Sequence, residues 1–114
     1  MNRYTIYCTE DQTRKALEFG APIEFIKIGK RKPLHYICSR ENKVYYKIPT
    51  AEQMRGWLKG QGFKFILSDI KDFDEKCWVV IHNDKEVSYG TNIEDKELDA
   101  IDAALEYLEK TAKE

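Results

Sequence analysis

Only one run of the chain is apolar on both of its alternating faces. In Cys77-Trp78-Val79-Val80-Ile81-His82, Cys77, Val79 and Ile81 fall on one side and Trp78 and Val80 on the other. Successive side chains of a strand point to opposite faces, so this run predicts a central strand covered from both sides. Alternating stretches flank it. Phe63, Phe65 and Leu67 oppose Lys64, Ile66, Ser68 and Ile70 in a strand predicted over 63–70. A hairpin turn at Asn83-Asp84-Lys85-Glu86 leads to a further strand over 87–90. Elsewhere the period becomes helical. Leu98, Ile101, Leu105, Leu108 and Ala112, with Ala104 alongside, recur at three- and four-residue spacing and predict a helix over about 95–111. Ala51, Met54, Trp57 and Leu58 share one face of a helix opened by the capping box Thr50-Ala51-Glu52-Gln53 and ended by Gly60 and Gly62. Gly56 lies inside that helix at a cost of about 0.8–1 kcal/mol relative to Ala, which predicts a close backbone contact there.

The front of the chain follows the same rules. Arg3 to Cys8 alternates with aromatic and β-branched residues and predicts a strand. Thr9-Glu10-Asp11-Gln12 is a capping box with acidic residues in the first turn, so a short helix is expected over about 10–19, stopped by Gly20 and Pro22. Its apolar residues are few: Ala16, Leu17 and Phe19. Three short strands then read as Ile23 to Ile28, Leu34 to Ser39 and Lys43 to Ile48, separated by turns at 29–33 and 40–42. Together these elements predict a single α+β domain over residues 1–114, with strand, helix and strands in 1–48 and helix, three strands and helix in 49–114. The sheet should be antiparallel and mainly meandering. The helices from Thr50 and Asp95 should lie on one face, with the Thr9 helix closing an edge or the other face.

Composition changes this picture little. A chain of 114 residues, 42% hydrophobic, is long enough to bury a core without cross-links. No segment approaches the roughly 20 apolar residues of a membrane span, and the start of the chain lacks a signal-peptide apolar run, so a cytoplasmic protein is expected. Cys8, Cys38 and Cys77 are odd in number and sit in apolar, strand-like contexts, which suits reduced, buried thiols. Charge is more informative, because it is segregated. Residues 1–48 hold ten Lys/Arg against five Asp/Glu (+5), 49–90 six against seven (−1), and 91–114 three against eight (−5).

Candidate chemistry is sparse. His35 and Cys38 are three apart on a predicted strand, hence on opposite faces and unable to share a metal. The Asp69, Asp72, Asp74, Glu75 cluster lacks the spacing of a calcium loop. No Gly-rich loop opens a helix to cradle phosphate, and no local signature accompanies the cysteines and serines. Catalytic residues, metal and cofactor are therefore not expected. Two charged features remain. Lys30, Arg31, Lys32 and Lys43, with Lys27, Arg40 and Lys47 nearby and Tyr36, Tyr45 and Tyr46 interleaved, combine phosphate-neutralising charge with rings on which bases can stack. Against a dedicated nucleic-acid binder stands a pI of about 6.2. Asp95, Asp99, Asp102, Glu106 and Glu109 line one flank of the last helix, where like charges at these spacings cost ~0.2–0.5 kcal/mol per pair unless a basic surface lies near.

Two resemblances add to this. From Thr50 onward the order helix, strand, strand, strand, helix resembles a double-stranded RNA-binding domain, and Lys96-Glu97-Leu98-Asp99-Ala100-Ile101-Asp102-Ala103-Ala104-Leu105-Glu106 is similar to that family's Ala-rich last helix. That family reads RNA through lysines at the start of this helix. Here the positions hold Glu94, Asp95, Glu97 and Asp99 with only Lys96 basic, so the resemblance implies the fold without the RNA-binding function. Over nearly the whole chain, the Thr-Glu-x-Gln opening at Thr9 with Ala-Leu-Glu-Phe-Gly-Ala-Pro-Ile at 16–23, Pro-Thr-x-x-Gln-Met-x-x-Trp-Leu at 49–58 and the Ala-Ala-Leu of the last helix resemble small uncharacterised proteins of Bacteroides-type gut bacteria and their prophages. This implies an accessory role and transfers no site residues.

The expectation is a non-enzymatic module that binds a protein or a second copy of itself. Nucleic-acid binding through the strands between Lys27 and Lys47 is the alternative, and no membrane partner is expected.

Overall fold

The computed structural model describes residues 5–69, 76–89 and 96–112, with only the backbone described at 68, 69, 76, 77, 86, 88, 89 and 96. The acidic loop before the central strand, Asp95 and the first two residues of the strand expected at Arg3 lie outside the described residues. The chain is α+β and forms two compact units, Met1–Glu52 and Gln53–Glu114, so that the division falls in the first turn of a helix.

The first unit opens with helix α1, Glu10–Glu18, and its N-terminus is the capping box expected from sequence. Thr9 Oγ1 accepts from the Gln12 amide and Gln12 Oε1 from the Thr9 amide, both at 3.1 Å. Thr13 Oγ1 donates to the Thr9 carbonyl at 2.9 Å. The buried side chains of this helix are Gln12, Thr13 and Ala16; Leu17 and Phe19 are half-buried. Both polar side chains can be buried because each is bonded to the helix's own first turn. At the other end Gly20 takes φ +85, its amide donates to the Leu17 carbonyl, and the Ala21 amide donates to the Ala16 carbonyl. This paired arrangement needs a left-handed residue after the cap, which is why glycine precedes Pro22 there.

Three strands follow, β1 (Phe25–Lys27), β2 (Tyr36–Ser39) and β3 (Val44–Lys47). They do not meander: the order is β1-β3-β2, with both outer strands antiparallel to β3. The strand expected at Arg3 is reduced, among the described residues, to an isolated bridge between Tyr7 and Thr50, held by Cys8 amide to Pro49 carbonyl and Ala51 amide to Ile6 carbonyl at 3.0 and 2.8 Å.

Helix α2, Ala51–Gly60, leads into the second unit, which contains β4 (Phe63–Asp69), β5 (Lys76–His82), β6 (Lys85–Tyr89) and α3 (Lys96–Ala112). The run that stood out in the sequence is the middle strand, in the order β4-β5-β6, but of this sheet only; the single sheet expected from sequence is two three-stranded sheets. Burial along β5 is uneven. Val80 is fully buried, whereas Trp78, Val79, Ile81 and His82 are half-buried. Phe63 and Phe65 pair across from His82 and Val80 and share their face. Among the described residues of this unit, Met54, Leu58, Phe63, Val80, Ala100, Ile101, Ala104 and Leu105 are the buried apolar ones, and a fully buried Leu, Ile or Phe contributes about 1.5–3 kcal/mol. The buried stripe of α3 is thus rotated from that expected: Ala100 is inside, Leu98 and Leu108 are half-buried, and Ala112 is exposed.

Two turns differ from expectation in detail. The β5–β6 hairpin turns on two residues rather than four: His82 pairs with Lys85, and Asn83 and Asp84 have φ +48 and +69. Both central residues left-handed is the pattern whose twist matches the flanking strands, and Asn and Asp tolerate it. One extra residue in β6, Val87, appears as a bulge, where the register shifts between Val80 and Ile81. Gly56 has no close backbone neighbour, since a Cβ there would meet nothing within 4 Å.

Candidate functional site

The basic and aromatic residues singled out between 27 and 47 belong to the small sheet of the first unit, and the structure separates them by role. Lys30, Arg31 and Lys32 are exposed in the β1–β2 connection, Lys43 is exposed at the β2–β3 turn with φ +54, and Lys27 is exposed on β1. Lys27 and Lys43 flank a shallow open cleft of about 530 Å³, floored by Ile28, Asn42 and Val44. Lys47 faces Glu24 at 3.8 Å.

The tyrosines are a different matter. Tyr45 is buried, and its hydroxyl donates to the Gly29 carbonyl at 3.3 Å, so it anchors the β1–β2 connection and offers no face to a base. This corrects the expectation for Tyr45: it sits on the middle strand, opposite Ile26 and Cys38, with its ring buried and its hydroxyl tied back to the connection. Tyr46 is half-buried, edge-on to Phe25 with centroids 6.0 Å apart, and its hydroxyl accepts from Asn42 Nδ2 at 3.0 Å. Tyr36 is half-buried on β2.

What the sequence did not single out is the apolar exposure beside these charges. Phe25, Ile26 and Ile28 are 63%, 43% and 42% exposed, and Leu34 in the following loop is 85% exposed. The run Phe-Ile-Lys-Ile looks like any half-buried strand when only its pattern is visible. Its position at a sheet edge depends on β3 pairing with β1 across an intervening hairpin, a long-range choice for which the run carries no local signal.

The remaining candidates are accounted for locally. Cys8 is buried and its Sγ donates to the Thr50 carbonyl at 3.8 Å; Cys38 is a half-buried free thiol. His35 precedes β2 rather than lying on it, with φ +62 and its ring stacked on Tyr7 at 3.9 Å. In the second unit His82 packs between Phe63 and Tyr107, at centroid distances of 4.5 and 4.9 Å, with Nε2 3.1 Å from the Gln61 carbonyl. Among the described residues no group of three or more His, Cys, Asp or Glu is placed to hold a metal ion.

Of the acidic flank of α3, Asp102 and Glu106 are exposed and Asp99 and Glu109 half-buried. The more constrained carboxylate is Glu97, which in the sequence alone shows only as the absence of a lysine. Its Oε1 accepts from Arg55 Nε at 2.8 Å, with the two side chains 19% and 29% exposed, and the same guanidinium lies 5.0 Å from the Trp78 ring centroid. Partial burial strengthens both contacts, and the arrangement ties α2, α3 and β5 together. A glutamate here is thus a structural requirement of this unit, where a lysine would set two cations against each other.

Among the described residues no helix is long and apolar enough to cross a membrane. Comparison with protein-family models, with curated proteins and with solved structures finds no match.

Proposed function

We propose that this protein is a non-enzymatic binding module that works in the cytoplasm and engages a partner protein through the β1 side of its first unit. The carrying observation is the exposure of Phe25 and Ile26 on adjacent positions of β1 and of Ile28 just past its end, with Leu34 exposed in the loop beyond. Scattered exposed apolar residues need no explanation, but apolar side chains exposed on both faces of one strand form a surface that gains from being covered. Cys8 and Cys38, neither in a disulfide, suit a reducing compartment. A second reading, nucleic-acid binding, draws on exposed Lys27, Lys30, Arg31, Lys32 and Lys43, yet burial of Tyr45 removes one of its stacking platforms.

A photo-crosslinking residue in place of Phe25, with one in place of Glu106 as control, separates these readings in the host cell. A discrete protein adduct at position 25 and none at 106 is the expected result. Adducts with nucleic acid alone, or no adduct at 25, would overturn it.

A further inference from the structure

We infer that the outer edge of β1 takes up an extended, acidic segment of a partner protein as an added strand. This rests on the protein-binding reading and names the partner's chemistry.

The backbone supplies the first premise. In the β1–β3 ladder the Lys47 amide donates to the Glu24 carbonyl at 2.9 Å and the Ile28 amide to the Lys43 carbonyl at 3.4 Å. Phe25 pairs with Tyr46, Ile26 with Tyr45 and Lys27 with Val44, so 24, 26 and 28 are the positions whose polar groups turn toward β3. Antiparallel bonding alternates along a strand. The amide and carbonyl of both Phe25 and Lys27 therefore point the other way, to the edge beyond which this sheet has no strand among the described residues. All three residues of β1 are exposed. Such a row of donors and acceptors at strand spacing is a template for another strand, and an added chain would also cover Phe25 on one face and Ile26 on the other.

Charge selects the occupant. Lys27 lies on the edge strand itself, Lys30, Arg31 and Lys32 continue from its end, and Lys43, opposite Ile28 on the β3 side, lines the same cleft as Lys27. The one carboxylate on this stretch, Glu24, faces Lys47. A second copy of the chain would bring the same cations to the junction, whereas a segment with Asp or Glu beside an alternating apolar stretch would match them. A polynucleotide could answer the charge but not the alternating amides and carbonyls.

The test uses a fluorescent peptide of alternating valine and threonine with aspartates at both ends, a lysine-ended analogue, and single-stranded DNA. Titrations with the full chain are read by anisotropy, and amide hydrogen exchange is followed alongside. The acidic peptide should bind at least about tenfold more tightly than the basic one and weaken with salt. Binding should slow exchange at the Phe25 and Lys27 amides. N-methylating alternate peptide amides in one register should weaken binding at least about tenfold, and in the other register leave it unchanged, because only one set of amides faces the edge. Lys27→Glu with Lys43→Glu should reverse the preference between the two peptides.

Equal sensitivity to N-methylation in both registers, binding of DNA but not peptide, or self-association that protects the Phe25 and Lys27 amides without peptide would each overturn the inference. If neither peptide binds while the position-25 crosslink still captures a protein, strand addition falls and protein binding stands. If both fail, both readings fall.

Discussion

Two glycines of α2 and its exit show how differently the same residue type can be used. At Gly62 the backbone has φ +97, and a Cβ would lie 2.8 Å from Asn83 Oδ1 and 3.3 Å from His82 Nε2. Conformation and space both demand glycine, so Gly62→Ala should destabilise the protein by about 1–2 kcal/mol or more. Gly56 has helical geometry and open space around it. There Gly56→Ala should stabilise by about 0.5–1 kcal/mol, through helix propensity and the reduced freedom of the unfolded chain. Urea denaturation of the two variants checks both signs at once. A loss at Gly56 would mean that an unseen neighbour occupies the space. The sequence flagged both residues and misassigned one, because a glycine letter records the absence of a side chain without showing whether backbone angle, crowding or neither required it.

At the scale of elements, what was legible depended on how local the cause was. The capping box at Thr9 and the left-handed stop at Gly20 were readable because each is completed within six residues of chain. The β1-β3-β2 order was not, since β3 must pair with both strands that precede it, one of them across the whole of β2. The same distance hid the pairing of Arg55 with Glu97, which are 42 residues apart. The box itself yields a sharp expectation. Gln12 and Thr13 are buried and bonded to Thr9, so Thr9→Ala removes an acceptor from the base of α1's buried face and should cost about 1–2 kcal/mol, toward the upper end for caps. Thr9→Asp keeps an acceptor and adds favourable charge at the helix N-terminus, and should restore most of the loss. Thermal unfolding of the pair tests this. Equal destabilisation by both would mean that the threonine methyl, not its oxygen, holds the turn.

For the molecule as a whole, charge and apolar exposure act together on behaviour in solution. The formal net charge is −1 and the pI about 6.2, so repulsion between copies is weak near neutral pH. With Phe25 and Ile26 exposed along an open strand edge, the chain should be least soluble close to pH 6. Reversing Lys30, Arg31 and Lys32 to Glu takes the net charge from −1 to −7, because each change is worth two units. That variant should be more soluble at pH 7 and have its turbidity maximum at lower pH. Phe25→Asp with Ile26→Asp changes charge by only two units but removes the apolar side chains from the edge. If net charge alone governs self-attraction, the triple variant improves solubility the more; if apolar contact governs it, the double variant does, and strongly at pH 6, where the triple variant still presents Phe25 and Ile26. The structure favours the second outcome: Phe25 and Ile26 stay exposed whatever the charge of the loop beyond them, so loose apolar contact, not ordered strand pairing between copies, drives the attraction. Equal turbidity in all three proteins would place self-attraction on some other surface of the molecule.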